Sequence, residues 1–417
     1  MFLLASLASA AAATIYRHQW GTVADVMGMH GQGAPVPPST AIDFAAQNYA
    51  MITTAAQCVT AGGGGAPTIE DGTLAVARSI KKVNPAAIVG MYWRTDMALE
   101  IALCSNFTAE LKSHGDDYYL RDDHGNLALK HGDVMWDYSN KEGVALFRRA
   151  LVNVVKQTEG GKPLIDYIFL DGPRWNLQPN ISAARNAQLE EDKYEWFAEL
   201  QDAFNAIPGG RNAIMNSLDD VPTAKLYHPT GAAGAMVDHW SILQFLLRDK
   251  VSCPPKPSPK DLCGHMNPAA MDALFTLVRS KMLANMTLQV KGWVGPVMAQ
   301  QGIYPPQMHT PTPGAERRAE MARRFNSELA LFLLVAEDHM YWMYSWFWAF
   351  DSWVPNEVDS DVPSEFFPQA KCALGKPKGP PVRNAATSTY TRKYEHASVF
   401  VDLTNRTACT VTFTGAC

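Results

Sequence analysis

Short, continuously apolar runs alternate with segments of helical periodicity through most of this chain, and that alternation restricts its fold more than any other feature. Strands that are apolar on both faces must be covered on both faces. They belong to a parallel sheet whose crossovers are helices. Eight such runs are expected to be strands: Tyr49–Thr54, Ala87–Trp93, Val134–Tyr138, Asp166–Leu170, Asn212–Asn216, Gly234–His239, Leu288–Trp293 and Met340–Tyr344. Eight strands with helices between them close into a (β/α)8 TIM barrel, an α/β fold. An open doubly wound sheet is the alternative that the same alternation allows. At 417 residues the chain has room for such a barrel, about 250–400 residues, and an attached element.

The helices are clearest where caps and periodicity coincide. Ser139-Asn140-Lys141-Glu142 reads as a capping box, and Val144, Phe147, Leu151, Val154 and Val155 then recur at helical spacing. Glu190–Ala206 is similar and stops at Pro208-Gly209-Gly210. Further helices are expected at Ile69–Val83, Met271–Ala284 and Ala315–Leu334. After about Phe350 the character changes. Gly375-Lys376-Pro377-Lys378-Gly379-Pro380-Pro381 reads as a linker, and Thr387–Tyr394, Ala397–Leu403 and Ala408–Phe413 as antiparallel strands of a small C-terminal β domain. The expected organisation is a signal peptide over 1–13, a barrel over 14–350, and a linker with the C-terminal sheet over 351–417.

The first residues point to export. Phe2-Leu3-Leu4 opens an apolar stretch that runs to Ala13, and Ala8-Ser9-Ala10 and Ala10-Ala11-Ala12 are small-x-small cleavage candidates. The stretch is too short to span a bilayer, and no membrane span is expected elsewhere. Secretion fits the sequons at Asn106, Asn180, Asn285 and Asn405, which are glycan acceptors in a eukaryotic host. It also fits disulfides. Cys253 and Cys263 bracket a proline-rich loop, Cys409 and Cys417 flank a terminal strand, and Cys58, Cys104 and Cys372 remain. No CxxC or HExxH spacing suggests zinc, and Gly62–Gly65 lacks the spacing of a phosphate loop. A net charge of −5 excludes a basic surplus for nucleic acid. No cofactor is expected, and a monomer is.

In a barrel, chemistry sits where the strands end. The runs end in Tyr92-Trp93-Arg94 with Asp96 beyond, Trp136-Asp137-Tyr138, Leu170-Asp171-Gly172, Asn216, Asp238-His239-Trp240, Trp293, and Tyr341-Trp342. Carboxylates and aromatics converging on one face are what cleavage of a sugar needs: rings that stack on the apolar sugar face and two acids for the bond. Asp171 is the sharpest of these. Four apolar residues deliver it and Gly172-Pro173 turns the chain away; a carboxylate there is costly unless solvated, paired or used. Asp238 is the first choice for the second acid. Asp137 is the other candidate, although Ser139 and Asn140 beside it suggest helix entry instead; Asp96 and Glu337 are weaker.

Tyr92-Trp93-Arg94, then Tyr119-Leu120-Arg121-Asp122-Asp123-His124-Gly125, then Trp136-Asp137-Tyr138-Ser139-Asn140 and Ile168-Phe169-Leu170-Asp171-Gly172 occur in an order that resembles TIM-barrel glycoside hydrolases. The likeness is nearest the hypothetical glycosyl hydrolase family fifteen and relatives of the endo-galactosaminidase and α-galactosidase groups. Gly375-Lys376-Pro377 and Arg392 to Val399 resemble the small β-sheet that ends such enzymes. The resemblance spans roughly residues 45 to 410. It implies hydrolysis of an α-linked glycan, with the fourth-strand acid at Asp171 and its partner at Asp238, where several relatives carry Glu.

The resulting expectation is a secreted glycosidase with Asp171 as nucleophile or base and Asp238 as general acid. Tyr92, Trp93, Arg94, Trp136, Asp137, Asn216, His239, Trp240, Trp293 and Trp342 are expected to hold the carbohydrate. The alternative is a non-catalytic glycan-binding or cell-surface protein on the same scaffold; an esterase is disfavoured by the lack of a G-x-S-x-G elbow.

Overall fold

A computed structural model describes residues 15–22, 26–29, 39–54, 68–96, 105–130, 132–175, 177–216, 218, 234–237, 272, 275–276, 279–280, 283–293, 314–345, 366–405 and 408–417. Its centre is an eight-stranded parallel sheet: β1 (Val26–Met29), β2 (Met51–Thr54), β3 (Ile88–Arg94), β4 (Tyr167–Asp171), β5 (Asn212–Met215), β6 (Gly234–Val237), β7 (Thr287–Trp293) and β8 (Met340–Ser345), in that spatial order. The first and last strands come together and close the sheet into a TIM barrel. Described helices of the crossovers are α1 (Ser39–Asn48), α2 (Ile69–Val83), α3 (Thr108–Ser113), α4 (Lys141–Val155), α5 (Ala183–Asn205) and α6 (Gly314–Val335).

The barrel is filled, as strand alternation requires. Met51, Tyr92, Tyr167, Phe169, Ile214, Met236, Tyr341 and Met343 form one inward cluster, separate from the larger core between sheet and helices. Tyr167 occupies the space beside Gly90, where any Cβ would collide with its ring, and its hydroxyl meets Thr53 Oγ1 at 2.6 Å. Below it the N-terminal segment plugs the floor: Tyr16 Oη donates to the Asp166 carbonyl at 3.0 Å.

Two expected features are placed differently. The run Val134–Tyr138 is not a barrel strand; Asp133–Val134 pairs with Leu129–Lys130 in a hairpin, and Trp136 makes an isolated antiparallel bridge with Tyr119. The strand missing from the expectation is β1, four residues that include Gly28, too short to stand out. The two errors cancel in the count, so Asp171 remains on the fourth strand. Helix α4 is capped by Asn140, whose side chain accepts from the N–H groups of Glu142 and Gly143, and not by Ser139, which donates instead to Asp137 Oδ1 at 2.5 Å.

The C-terminal sheet is antiparallel: β9 (Val382–Asn384), β10 (Thr389–Lys393), β11 (Ala397–Asp402) and β12 (Thr410–Phe413). It packs on α6 and caps the carbonyls that helix leaves unpaired. Buried Arg392 donates through Nη1 to the carbonyls of Leu333, Leu334 and Ala336, and Tyr394 Oη donates to Leu333. Cys417 is disulfide-bonded to Cys372, so the expected pairing of Cys409 with Cys417 is corrected; Cys409 is buried, with its thiol against the Asp402 carbonyl. Cys253 and Cys263 lie outside the described residues. Asn106, Asn180, Asn285 and Asn405 are all exposed. Among the described residues no helix is long and apolar enough to cross a membrane.

Candidate functional site

Period-two alternation determines where the Asp171 side chain goes. Tyr167 and Phe169 face the barrel interior while Ile168 and Leu170 face the helices, so Asp171 faces inward at the C-terminal end of β4. Three donors converge on its two carboxylate oxygens. Tyr92 Oη donates to Oδ2 at 2.6 Å; Asn216 Nδ2 and the Gly172 N–H donate to Oδ1 at 2.7 and 2.8 Å. A carboxylate with both oxygens engaged by donors is held in one orientation, with 8% of the residue left open to solvent. The donors come from three successive strands or strand ends, which only the closed sheet aligns: Tyr92 is on β3 and Asn216 directly follows β5.

The chain bends away immediately after Asp171. Gly172 has φ +65°, and a Cβ there would collide with the Asp96 carboxyl. The Asp171 carbonyl accepts from Thr95 N and Thr95 Oγ1 at 2.9 and 2.7 Å. The Gly172 carbonyl accepts from Lys193 Nζ of α5 at 2.7 Å. That ammonium is buried and sits 5.3 Å from the centre of the Tyr138 ring. Burial pushes its pKa down to about 7, against the opposing pull of Asp96.

Asp96 is the other described carboxylate beside Asp171. Arg94 Nε donates to its Oδ1 at 3.0 Å and Lys130 Nζ to its Oδ2. Burial acts to raise the Asp96 pKa, but Arg94, Lys193 and Lys130 outweigh it and hold the carboxyl below its ordinary value. A group so paired stays ionised and is unsuited to donating a proton. Glu337 lies at the opposite end of the barrel, 2.9 Å from Arg279. It lines a floor cavity of about 470 Å³ together with Arg17, Asp338 and Arg392.

The structure therefore brings together Tyr92, Arg94, Asp171 and Asn216 of the expected residues. It separates four others from them. Trp93 points outward to Phe147, ring centres 5.8 Å apart, and Trp136 stacks on the other side of the same layer, 5.0 Å from Phe147. Trp342 points outward between Phe332 and Tyr344. These three indoles are core, and their expected sugar contacts are corrected. Asp137 accepts from the Ser139 N–H at 2.9 Å and the Ser139 hydroxyl, which is the helix-entry arrangement rather than a sugar contact. Asp238, His239, Trp240 and the side chain of Trp293 lie outside the described residues. Lys130 and Lys193 were missed, because they are brought to the site from a hairpin and a helix with no local signal.

No family model and no curated protein sequence matches the chain. Its fold is similar to that of an alpha-amylase from Geobacillus thermoleovorans in complex with acarbose, with TM-score 0.50, 9% identity, and coverage of 92% of this chain and 86% of that one. A cyclic alpha-maltosyl-(1→6)-maltose hydrolase from Arthrobacter globiformis aligns over 94% of this chain and 91% of its own, with TM-score 0.45 and 12% identity. An alpha-galactosidase from Geobacillus stearothermophilus in complex with stachyose aligns over 91% of this chain but 47% of its own, with TM-score 0.41 and 8% identity. At such identities the first of these likenesses speaks to the fold alone, a parallel barrel followed by a small antiparallel sheet.

Proposed function

We propose that this chain is a secreted glycoside hydrolase acting on an oligo- or polysaccharide, with Asp171 as the nucleophile or as the base that activates water. One observation carries the reading: Asp171 stands at the C-terminal end of β4, inside the barrel, with Tyr92, Asn216 and the Gly172 N–H on its two oxygens. That is the end of a barrel where chemistry is done. The donors orient the carboxylate, so little rearrangement is needed when positive charge develops on the sugar ring in the transition state.

In this reading Asp238, which directly follows β6, protonates the departing glycosidic oxygen while Asp171 or its activated water bonds to the anomeric carbon. No cofactor is required. The distance between the two carboxyls selects the outcome, about 5–5.5 Å for retention and about 6.5–9.5 Å for inversion. Kinship with the hypothetical glycosyl hydrolase family fifteen and with endo-galactosaminidases rests on the motifs around Tyr92, Trp136 and Asp171. Secretion rests on the apolar N-terminus.

The test is a screen of the full-length protein against algal, plant and microbial polysaccharides, with Asp171→Asn and Asp238→Asn alongside. Asn keeps the geometry, because its Oδ1 still accepts the Gly172 and Asn216 bonds and the Tyr92 hydroxyl can accept from its amide. Turnover should fall by at least ~1000-fold in Asp171→Asn, with an unchanged circular dichroism spectrum. Undiminished turnover in that variant removes Asp171 from the mechanism. Glycan binding without turnover by the unaltered protein would favour the non-catalytic alternative.

A further inference from the structure

Two cations stand beside Asp171 with one counter-ion between them. Arg94 follows Tyr92 by two residues on β3, so both project inward, and it lies opposite Asp171 in the β3–β4 ladder. Lys130 reaches the same place from the Leu129–Lys130 and Asp133–Val134 hairpin. Both heads converge on Asp96. Exposure separates the three groups: the Asp96 side chain is 2% exposed, that of Arg94 21% and that of Lys130 18%. The Asp96 carboxylate lies underneath, so beside Asp171 it is the two cationic heads that a ligand meets. Among the described residues, the two terminal guanidinium nitrogens of Arg94 have no hydrogen-bond partner.

We propose that this pair recognises an anionic substituent on the sugar held at Asp171, a uronate carboxylate or a sulfate ester. The inference rests on the glycosidase reading and names its substrate class. A guanidinium fork beside a partly exposed ammonium is the donor set that planar or tetrahedral oxyanions take. Neutral hydroxyls need no such charge. Cations at this place would also oppose the positive charge that grows on the sugar ring during cleavage; an anion on the substrate that neutralises them relieves that opposition. The cationic face is local, since the chain carries −5 overall.

Matched pairs of polysaccharides test this: a polyuronate and its carboxyl-reduced form, a sulfated galactan and its desulfated form. Turnover by the unaltered protein is followed by release of reducing ends, and binding by calorimetry with full-length Asp171→Asn. The charged member of one pair should be preferred roughly 10- to 100-fold in kcat/KM, and which pair shows it distinguishes carboxylate from sulfate. The preference should shrink as salt rises from about 0.05 to about 0.5 M. In Lys130→Met, on a surface hairpin, the charged-to-neutral ratio should fall, and in Arg94→Lys it should fall further than loss of one charge explains. Equal or better use of the neutral members overturns the inference and leaves the hydrolase reading standing, as does a Lys130→Met variant that loses both members by one factor. Binding of a charged member without turnover of any glycan removes the hydrolase reading and keeps the anion site. Absence of binding to either charged member overturns the site.

Discussion

Replacing Lys193 by Met removes an ammonium from a position where water cannot reach it. The residue is 1% exposed, its Nζ donates to the Gly172 carbonyl at 2.7 Å, and the rings of Tyr138 and Phe197 lie 5.3 and 5.9 Å away. Burial lowers its pKa from 10.5 to about 7. The unfolded chain keeps its proton up to the ordinary lysine pKa, whereas the folded chain gives it up near pH 7. Between those limits the unfolded state binds more protons, so stability rises with pH. The gap between 10.5 and about 7 corresponds to about 5 kcal/mol over the whole window, at ~1.4 kcal/mol per pH unit. From about pH 7 to about pH 9 the gain attributable to Lys193 is about 2 kcal/mol, and well below pH 7 it is absent.

Met has similar length, cannot titrate, and leaves every other group in place. Urea unfolding of both proteins from about pH 6 to about pH 9 therefore isolates the effect as a difference, because the other titrations cancel. The unaltered protein should gain on Lys193→Met across that range, and Lys193→Met should be the more stable of the two at the acid end. Hydrolysis should nevertheless weaken in Lys193→Met at every pH, because the turn after Asp171 has lost its anchor. Parallel stability curves would refute the reasoning, since they would mean that this lysine titrates alike in both states.

Tyr92→Phe removes one donor from Asp171 and little packing; kcat/KM should fall about 10- to 100-fold with the melting temperature nearly unchanged, measured by reducing-end assay and calorimetry. Gly172→Ala asks a non-glycine residue to hold φ +65° and drives a methyl group into Asp96, so both stability, by at least ~1–2 kcal/mol, and turnover should drop. Cys417→Ser opens a bridge that spans 45 residues and should cost about 2–4 kcal/mol, visible as a lower melting temperature that a reducing agent reproduces in the unaltered protein but not in the variant.

Parts of the fold were legible because they depend on local chemistry. Ile69–Val83 reads as a helix from its periodicity and is one, over the same residues, with Thr68 as its cap. Seven of the eight barrel strands register within a few residues because β-rich apolar runs between helices have one common use. Other parts were not. Within a strand buried on both sides no polarity marks which face looks inward, so Trp93, one residue after Tyr92, could not be told from a mouth residue. Trp136 was misjudged for a related reason: an aromatic run in a hairpin has the composition of a barrel strand. Among the cysteines, spacing favoured Cys409 with Cys417, but Cys372 is carried to Cys417 by the packing of a segment 45 residues earlier in the chain.

The chain by itself determines a strand of four apolar residues ending in an acid and a glycine, and alternation then obliges Tyr167, Phe169 and Asp171 to share a face. Only tertiary structure decides that this face is the inside of a closed cylinder, where Tyr92 and Asn216 from the adjacent strands reach the same carboxylate and Arg94, Lys130 and Lys193 gather around its neighbour Asp96. The reason is physical: periodicity is set by backbone geometry within a few residues, whereas hydrogen bonds and charge pairs between distant segments depend on how the strands are ordered and closed.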